Sequence, residues 1–354
     1  MRHWALVGFA CAVALPSALH ADASVPGGRK RVAPTGKFTV PKVIAEGQDD
    51  VGPLAVDADS VYWATGGSIM RRPKAGGPLT SVVFPAWART LALDSDSIYF
   101  TTSAGDVMKA PKDGGSPVTL ASEQLEPQFL AADGDAVYWV NHGAGLPQRG
   151  DYSSGSVMKV AKSGGKPLAL AVDQLLPSGL AVSGSSVYFV ADGKLRSLPT
   201  MGGKLRTLSG KGFTGAHVVV AGANVFMDRI AWRKVHGGVM QDHLEIVMIP
   251  LAGGAETVIA KESLDDIDGF AADETGVYWV AMTNGDYLGT VRRVPISGGP
   301  RETLAERISW PGALALDSKS LYFTSTSPDY DEHGRPFGAM MERREHGRLM
   351  ALPK

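Results

Sequence analysis

The side chains able to do chemistry are few. Past residue 23 the histidines are His142, His217, His236, His243, His333 and His346. Carboxylates at Asp50, Asp228, Asp265, Asp266, Asp268, Asp286, Asp329 and Asp331 share their segments, as do the aromatics Trp87, Tyr152, Trp232, Tyr287 and Trp310. Imidazole beside carboxylate suits proton transfer or a shared divalent cation. Aromatic rings beside both suit a peptide or a sugar. Spacing narrows the choice. No H-x-H or H-E-x-x-H pair sets two imidazoles on one element, and no G-x-S-x-G elbow presents a serine. The Gly-Gly dipeptides lack the Gly-Lys-Ser/Thr of a phosphate loop. Cys11 is the only cysteine and lies in an apolar leader, so neither a disulfide nor a thiolate-bound metal is expected in the mature chain.

His217 and Asp268 are therefore the candidates for catalysis, and with Asp50 for a divalent cation at the channel mouth; no other cofactor is expected. The wider binding set is His142, Tyr152, Asp228, Trp232, His236, Asp286, Tyr287, Trp310, Asp329 and His333. Arg149-Gly150-Asp151 matches an adhesion tripeptide but is short enough to arise by chance.

Positioning these residues falls to a repeat. The triplets Val61-Tyr62-Trp63, Ile98-Tyr99-Phe100, Val137-Tyr138-Trp139, Val187-Tyr188-Phe189, Val225-Phe226-Met227, Val277-Tyr278-Trp279 and Leu321-Tyr322-Phe323 recur with central aromatics 37 to 52 residues apart. That interval suits one propeller blade with loop insertions. A small apolar strand precedes the triplet, as in LAVDA at 54–58 and LALDS at 91–95 and 314–318. A strand ending in Gly-Gly follows it, as in MKAPKDGG, VMIPLAGG and RRVPISGG, and a fourth strand completes the unit. Asp57, Asp94, Asp133, Asp273 and Asp317 end the first strands, where Asp in such a turn caps its own backbone. The last unit stops at its third strand, while Lys42-Val43-Ile44-Ala45-Glu46 reads like the fourth strand Thr257-Val258-Ile259-Ala260-Lys261. The prediction is an all-β protein: a seven-bladed β-propeller of four-stranded blades, closed by pairing residues 40–46 with 347–353.

Loop length varies on one face only. Insertions fall at 141–155, 228–245, 282–289 and 325–347, between second and third strands, and every candidate residue above maps to that face or to strand ends beside it. The aromatic triplets are expected to pack blade against blade.

Outside the repeat, Arg2-His3, the apolar run at 4–15 and Ala21-Asp22-Ala23 read as a cleaved secretory signal over 1–23, followed by a flexible leader over 24–36 and the propeller over 37–354. The apolar run is too short to span a bilayer, and Gly8-Phe9-Ala10 is a poor approach to a lipidated Cys11. A periplasmic or extracellular monomer without stable membrane insertion is expected. With 35 basic and 36 acidic residues, no field of one sign recruits nucleic acid.

The units ALALDSKSLYFTS and VYWVNHG…GSVMKVAKSGG resemble secreted bacterial propeller repeats of the form P-x-G-[IL]-A-V-D-x-x-x-V-Y-W…G-x-V-M-K-V-P-x-x-G-G, over residues 37–354. The likeness extends more loosely to YWTD and NHL propellers, which are interaction platforms, and to propeller lyases and lactonases. The resemblance implies the fold and leaves activity open. The favoured expectation is a binding module that recognises a protein, peptide or glycan through its long-loop face. The alternative is a lyase or hydrolase at the channel mouth, with His217 as general base and Asp268 or Asp50 orienting it or holding a cation. A structural part of an envelope assembly is a third.

Overall fold

The computed structural model describes residues 38–143, 154–209, 217–234, 240–262, 266–282, 288–326 and 347–354. The expected signal and leader lie outside the described residues. Among those described, no helix is long and apolar enough to cross a membrane.

Seven four-stranded antiparallel sheets form the blades. Their innermost strands are Leu54–Val56, Ala88–Leu93, Pro127–Ala132, Ser178–Ser183, Val218–Ala221, Asp266–Ala272 and Pro311–Leu316 for blades 1 to 7, and successive ones neighbour each other around the ring. Blade 7 is completed by Lys42–Gln48, which pairs with Gly347–Pro353 in the register Lys42↔Ala351, Val43↔Met350, Ala45↔Leu349 and Gln48↔Gly347. The sequence argument for ring closure therefore holds, with the pairing set slightly further along the first strand than 40–46.

Each hydrophobic cluster spans one seam between blades. Tyr62, Ile69 and Val82 of blade 1 pack against Ile98 and Phe100 of blade 2; Tyr99 of blade 2 then meets Leu130, Val137 and Trp139 of blade 3. Alternation along the second strand explains this, since neighbouring side chains point to opposite faces of a blade. Trp63, Trp139 and Trp279 are fully buried, so the triplets are scaffold. In the Gly-Gly turns the second glycine lies at φ 123° to 141°, as at Gly165 and Gly115, a conformation closed to residues with a Cβ.

A polar latch reinforces four of the seams. In Asp57, Asp94 and Asp317, Oδ1 caps the amides two and three residues on, as expected. The other oxygen reaches the next blade. Lys112 Nζ donates to Asp57 Oδ2 (2.8 Å), Lys162 to Asp94 (2.8 Å) and Lys74 to Asp317 (2.6 Å), and Lys354 pairs with Asp273. The same ammonium groups lie 5.3 to 5.7 Å from the ring centroids of Tyr62, Tyr99, Tyr322 and Tyr278. Burial pushes the Asp317 carboxyl up, but Lys74, two backbone amides and Tyr322 outweigh it and hold the group down to about 2. The Lys position is marked in every blade by one backbone bond, from Lys74, Lys112, Lys162, Thr200, Leu251, Ile296 and Lys354 to the preceding strand turn. Where the Asp position holds Ser183 or Ala221, the next blade carries Leu251 or Ile296, which pack in the apolar seam instead. Charge and its partner are thus present together or absent together, except that Asp133 keeps only Tyr138 (2.6 Å) opposite Thr200.

Toward the opposite face, Gln48 and Gln124 each fold back on a nearby carbonyl and accept the indole N–H of Trp63 or Trp139 from the following blade at 3.2 Å. For Trp63 this satisfies a buried donor that would otherwise cost about 1–3 kcal/mol, while the Trp139 indole is also accepted by Asn141 Oδ1 at 3.0 Å.

Candidate functional site

Hairpins between second and third strands, and the connections from one blade to the next, hydrogen-bond to each other. Gly66 N–H donates to Asp49, Gln124 to Gly105, His142 to Glu126, Asp192 to Leu175 and Thr326 to Trp310. They therefore share one face, the one with the variable loops. Four residues before the leading Leu of the innermost strand, the chain turns through the left-handed region at Asp50 (φ 42°), Glu126 (φ 55°), Leu176 (φ 45°) and Trp310 (φ 39°). A non-glycine residue pays about 1–2 kcal/mol for that backbone. Glycine would take the turn without this cost, yet four different side chains stand there around the mouth of the ring. Blade 2 places Trp87 at the same step.

His217 stands immediately before the innermost strand of blade 5. Its amide donates to Asp228 Oδ1 at 2.8 Å, and its Nδ1 lies 3.5 Å from Asp228 Oδ2. The ring stacks on Phe270 of blade 6, with centroids 5.8 Å apart. Asp228 is buried on the second strand of blade 5, so its carboxylate faces His217 and is withdrawn from the rim. His217 thus takes its carboxylate from its own blade rather than from Asp268 or Asp50. Asp268 is the extra residue of a β-bulge, between the pairs Ile267↔Ala281 and Gly269↔Val280, and is exposed; bulges re-aim side chains in this way. Asp50 is exposed at its left-handed turn. Among the described residues no group of three or more His, Cys, Asp or Glu could hold a metal ion, so His217, Asp268 and Asp50 do not converge on one point.

His142 is half-buried beside the blade 2–3 connection; burial lowers its pKa and the charge of Glu126 offsets part of that, leaving a neutral imidazole at pH 7. Trp310 is half-buried. Trp232 lies in the second strand of blade 5, opposite Asp242. Tyr152, His236, Asp286, Tyr287, Asp329 and His333 lie outside the described residues. His243 joins an ion cluster within blade 5. Its Nε2 is 3.1 Å from Glu245, which also pairs with Arg229 (2.8 Å) and Lys261 (2.9 Å). Burial pushes Glu245 up, but Lys261, Arg229 and His243 hold it at about 2. A histidine so engaged braces the long hairpin.

Sequence reasoning named Trp87 among the aromatics of this face but passed over the apolar side chains that accompany it. Phe84 is 74% exposed and Trp87 63%, on the blade 1–2 connection, and the connections of the next two seams expose Leu125 and Leu175, each one residue before the left-handed turn. The segment Phe84-Pro85-Ala86-Trp87 differs from every other connection, which was the available signal.

No family model matches the chain, and no curated protein matches it. Solved propellers do. The WD40 propeller domain of Doa1 is 13% identical, covering 88% of this chain and 97% of its own, with a TM-score of 0.59. YCF48 bound to D1 peptide is 9% identical over 90% and 98%, with a TM-score of 0.58. An oligogalacturonate lyase in complex with manganese is 12% identical over 83% and 86%, at 0.57. What they share with this chain is the fold. Identities this low carry nothing further about activity.

Proposed function

We propose that the protein is a binding module that holds a peptide segment of a partner protein against the long-loop face, outside the cytoplasm. The exposed arc of Phe84, Trp87, Leu125 and Leu175 carries this reading. Large apolar side chains on consecutive connections are what an interface core needs, and Trp is enriched among residues that dominate binding energy. The rigid ring beneath holds them without ordering cost at binding. Among the similar structures, one propeller is bound to a peptide and another holds manganese, so the fold serves either use. The test is selection from a displayed random-peptide library on the chain from residue 24 onward. Enriched peptides should lose about tenfold or more in affinity on the Trp87→Ser variant. Failure to enrich any peptide, or equal binding by the variant, overturns the reading.

The resemblance to secreted repeats and the signal at 1–23 support export to the periplasm or beyond. Mass spectrometry of the mature N-terminus tests it; an intact Met1 would refute it.

One observation favours a second reading, a lyase or hydrolase. His217 Nδ1 lies 3.5 Å from the buried Asp228 carboxylate, an imidazole–carboxylate pairing of the kind general-base catalysis uses. Any turnover found should fall at least about a hundredfold in His217→Ala, the range of general-base catalysis. Unchanged turnover removes the reading.

A further inference from the structure

We propose that the cavity beside Trp87 receives a lysine or arginine side chain of the partner polypeptide. This rests on the peptide-binding reading and names the chemistry of what is bound. The cavity has a volume of about 230 Å³ and opens between the blade 1–2 connection and the hairpin of blade 2. Phe100, 1% exposed, and Met108 line it from blade 2, Pro85 and Trp87 from the connection, and Thr102 and Asp106 from the hairpin.

Asp106 is the decisive residue. It is half-buried, and its amide donates to Thr102 Oγ1 at 3.1 Å. Its carboxylate has no hydrogen bond or ion pair among the described residues. Other inward carboxylates are engaged: Asp57, Asp94, Asp273 and Asp317 each hold a lysine, Asp133 accepts from Tyr138 and two backbone amides, and Asp228 faces His217. A half-buried carboxylate with no partner in its own chain offers a charge-assisted acceptor to an incoming cation. The repeat does not demand it: the equivalent residue is Ser68 in blade 1, Ser156 in blade 3, Lys194 in blade 4, Thr290 in blade 6 and Arg348 in blade 7, and the one other carboxylate, Glu245 in blade 5, is held by Arg229 and Lys261. Blade 7 also carries a tryptophan at this step, Trp310, but that ring is half-buried whereas Trp87 is 63% exposed.

A lysine or arginine meets both features at once. Its methylene stem packs on Phe100, Met108 and Pro85 while the charged head reaches Asp106 beside the Trp87 ring. A neutral sugar could stack on the ring but would leave the carboxylate uncompensated.

The experiment follows the Trp87 indole N–H resonance, assigned with Trp87→Phe, in the chain from residue 24 onward. The probes are N-acetyl-lysine N-methylamide, its arginine counterpart, the uncharged norleucine analogue and N-acetylglucosamine. The two cations should give saturable shifts at concentrations about tenfold lower than the norleucine analogue, and Asp106→Asn should remove that advantage while leaving the rest of the spectrum in place. Equal binding of norleucine, tighter binding of the sugar, or an unaffected Asp106→Asn overturns the proposal. If only a chain lacking residues 24–37 binds the cations, the occupant is the chain's own Arg29-Lys30-Arg31 run, and the partner assignment falls. Library peptides that bind wild type and Asp106→Asn alike overturn the cation assignment alone and leave peptide binding standing.

Discussion

Exchanging Lys162 for methionine removes the ammonium from the seam between blades 2 and 3 and leaves Asp94 behind. The pair lies at 2.8 Å with the two side chains only 14% and 23% exposed, and Tyr99 donates to the same carboxylate oxygen at 2.7 Å. At an effective dielectric of about 20, two charges this close attract by roughly 6 kcal/mol. Desolvation and the ordering of a long side chain offset most of that, and a charged hydrogen bond retains about 1.5–3 kcal/mol net. Loss of the cation over the Tyr99 ring, 5.3 Å away, adds about 0.5–1 kcal/mol. Lys162→Met should therefore destabilise by about 2–4 kcal/mol. Asp94→Ser should cost a similar amount, because it strands the lysine and three donors. The paired change Asp94→Ser with Lys162→Leu copies the natural seam of Ser183 and Leu251 and should return to within about 1 kcal/mol of wild type, since an apolar pair often replaces an enclosed ion pair at little cost. Urea midpoints at unchanged slope give these differences directly. The reasoning is refuted if either single variant lies within about 0.5 kcal/mol of wild type, or if the double variant equals the sum of the singles.

Three further outcomes follow from the same geometry. Glu126→Gly, at an exposed left-handed turn, should raise stability by about 1 kcal/mol; a lowered urea midpoint would contradict the strain. Asp94 and Asp317 lie below an unfolded carboxylate near pH 4, Asp317 at about 2, so their contribution is complete above pH 4 and is lost as pH falls through about 2. Denaturant midpoints should drop between those limits, less steeply in Asp317→Asn, and a profile identical to wild type would count against the latch. Removing residues before Val51 unpairs Gly347–Pro353 and takes Ala45 from the blade 7–1 cluster; the melting temperature should fall by several degrees, and an unchanged value would contradict closure through that strand.

The fold was legible because its signals are local and repeated. Tyr-containing triplets and Gly-Gly turns each recur six times, and the split last unit fixes how the ring closes. The site was not, for a physical reason. His217 meets Asp228 across eleven residues of chain that fold back within one blade, whereas Asp268 looked closer only because both lead into innermost strands. The latches escaped notice because Asp57 and Lys112 lie in different repeats; comparing one repeat with the next, as at Ser183 and Leu251, would have shown the exchange of charge for apolar bulk. Trp87 was legible as an aromatic of the loop face, but Phe84 and Asp106 stand outside the repeated pattern, and a search for self-similarity looks past such positions.

The closing pair also sets an order of events. Lys42–Gln48 leaves the ribosome first among the strands, and its partner Gly347–Pro353 last, roughly 300 residues later. During synthesis blades 1 to 6 can each form from contiguous chain, while the opening strand waits as an unpaired edge. Its polar and charged residues, Lys42, Glu46 and Gln48, make it a poor template for stray pairing over that interval. Whatever interrupts synthesis before Gly347–Pro353 yields an open ring with two free edges, so that strand decides between a closed molecule and an aggregation-prone one.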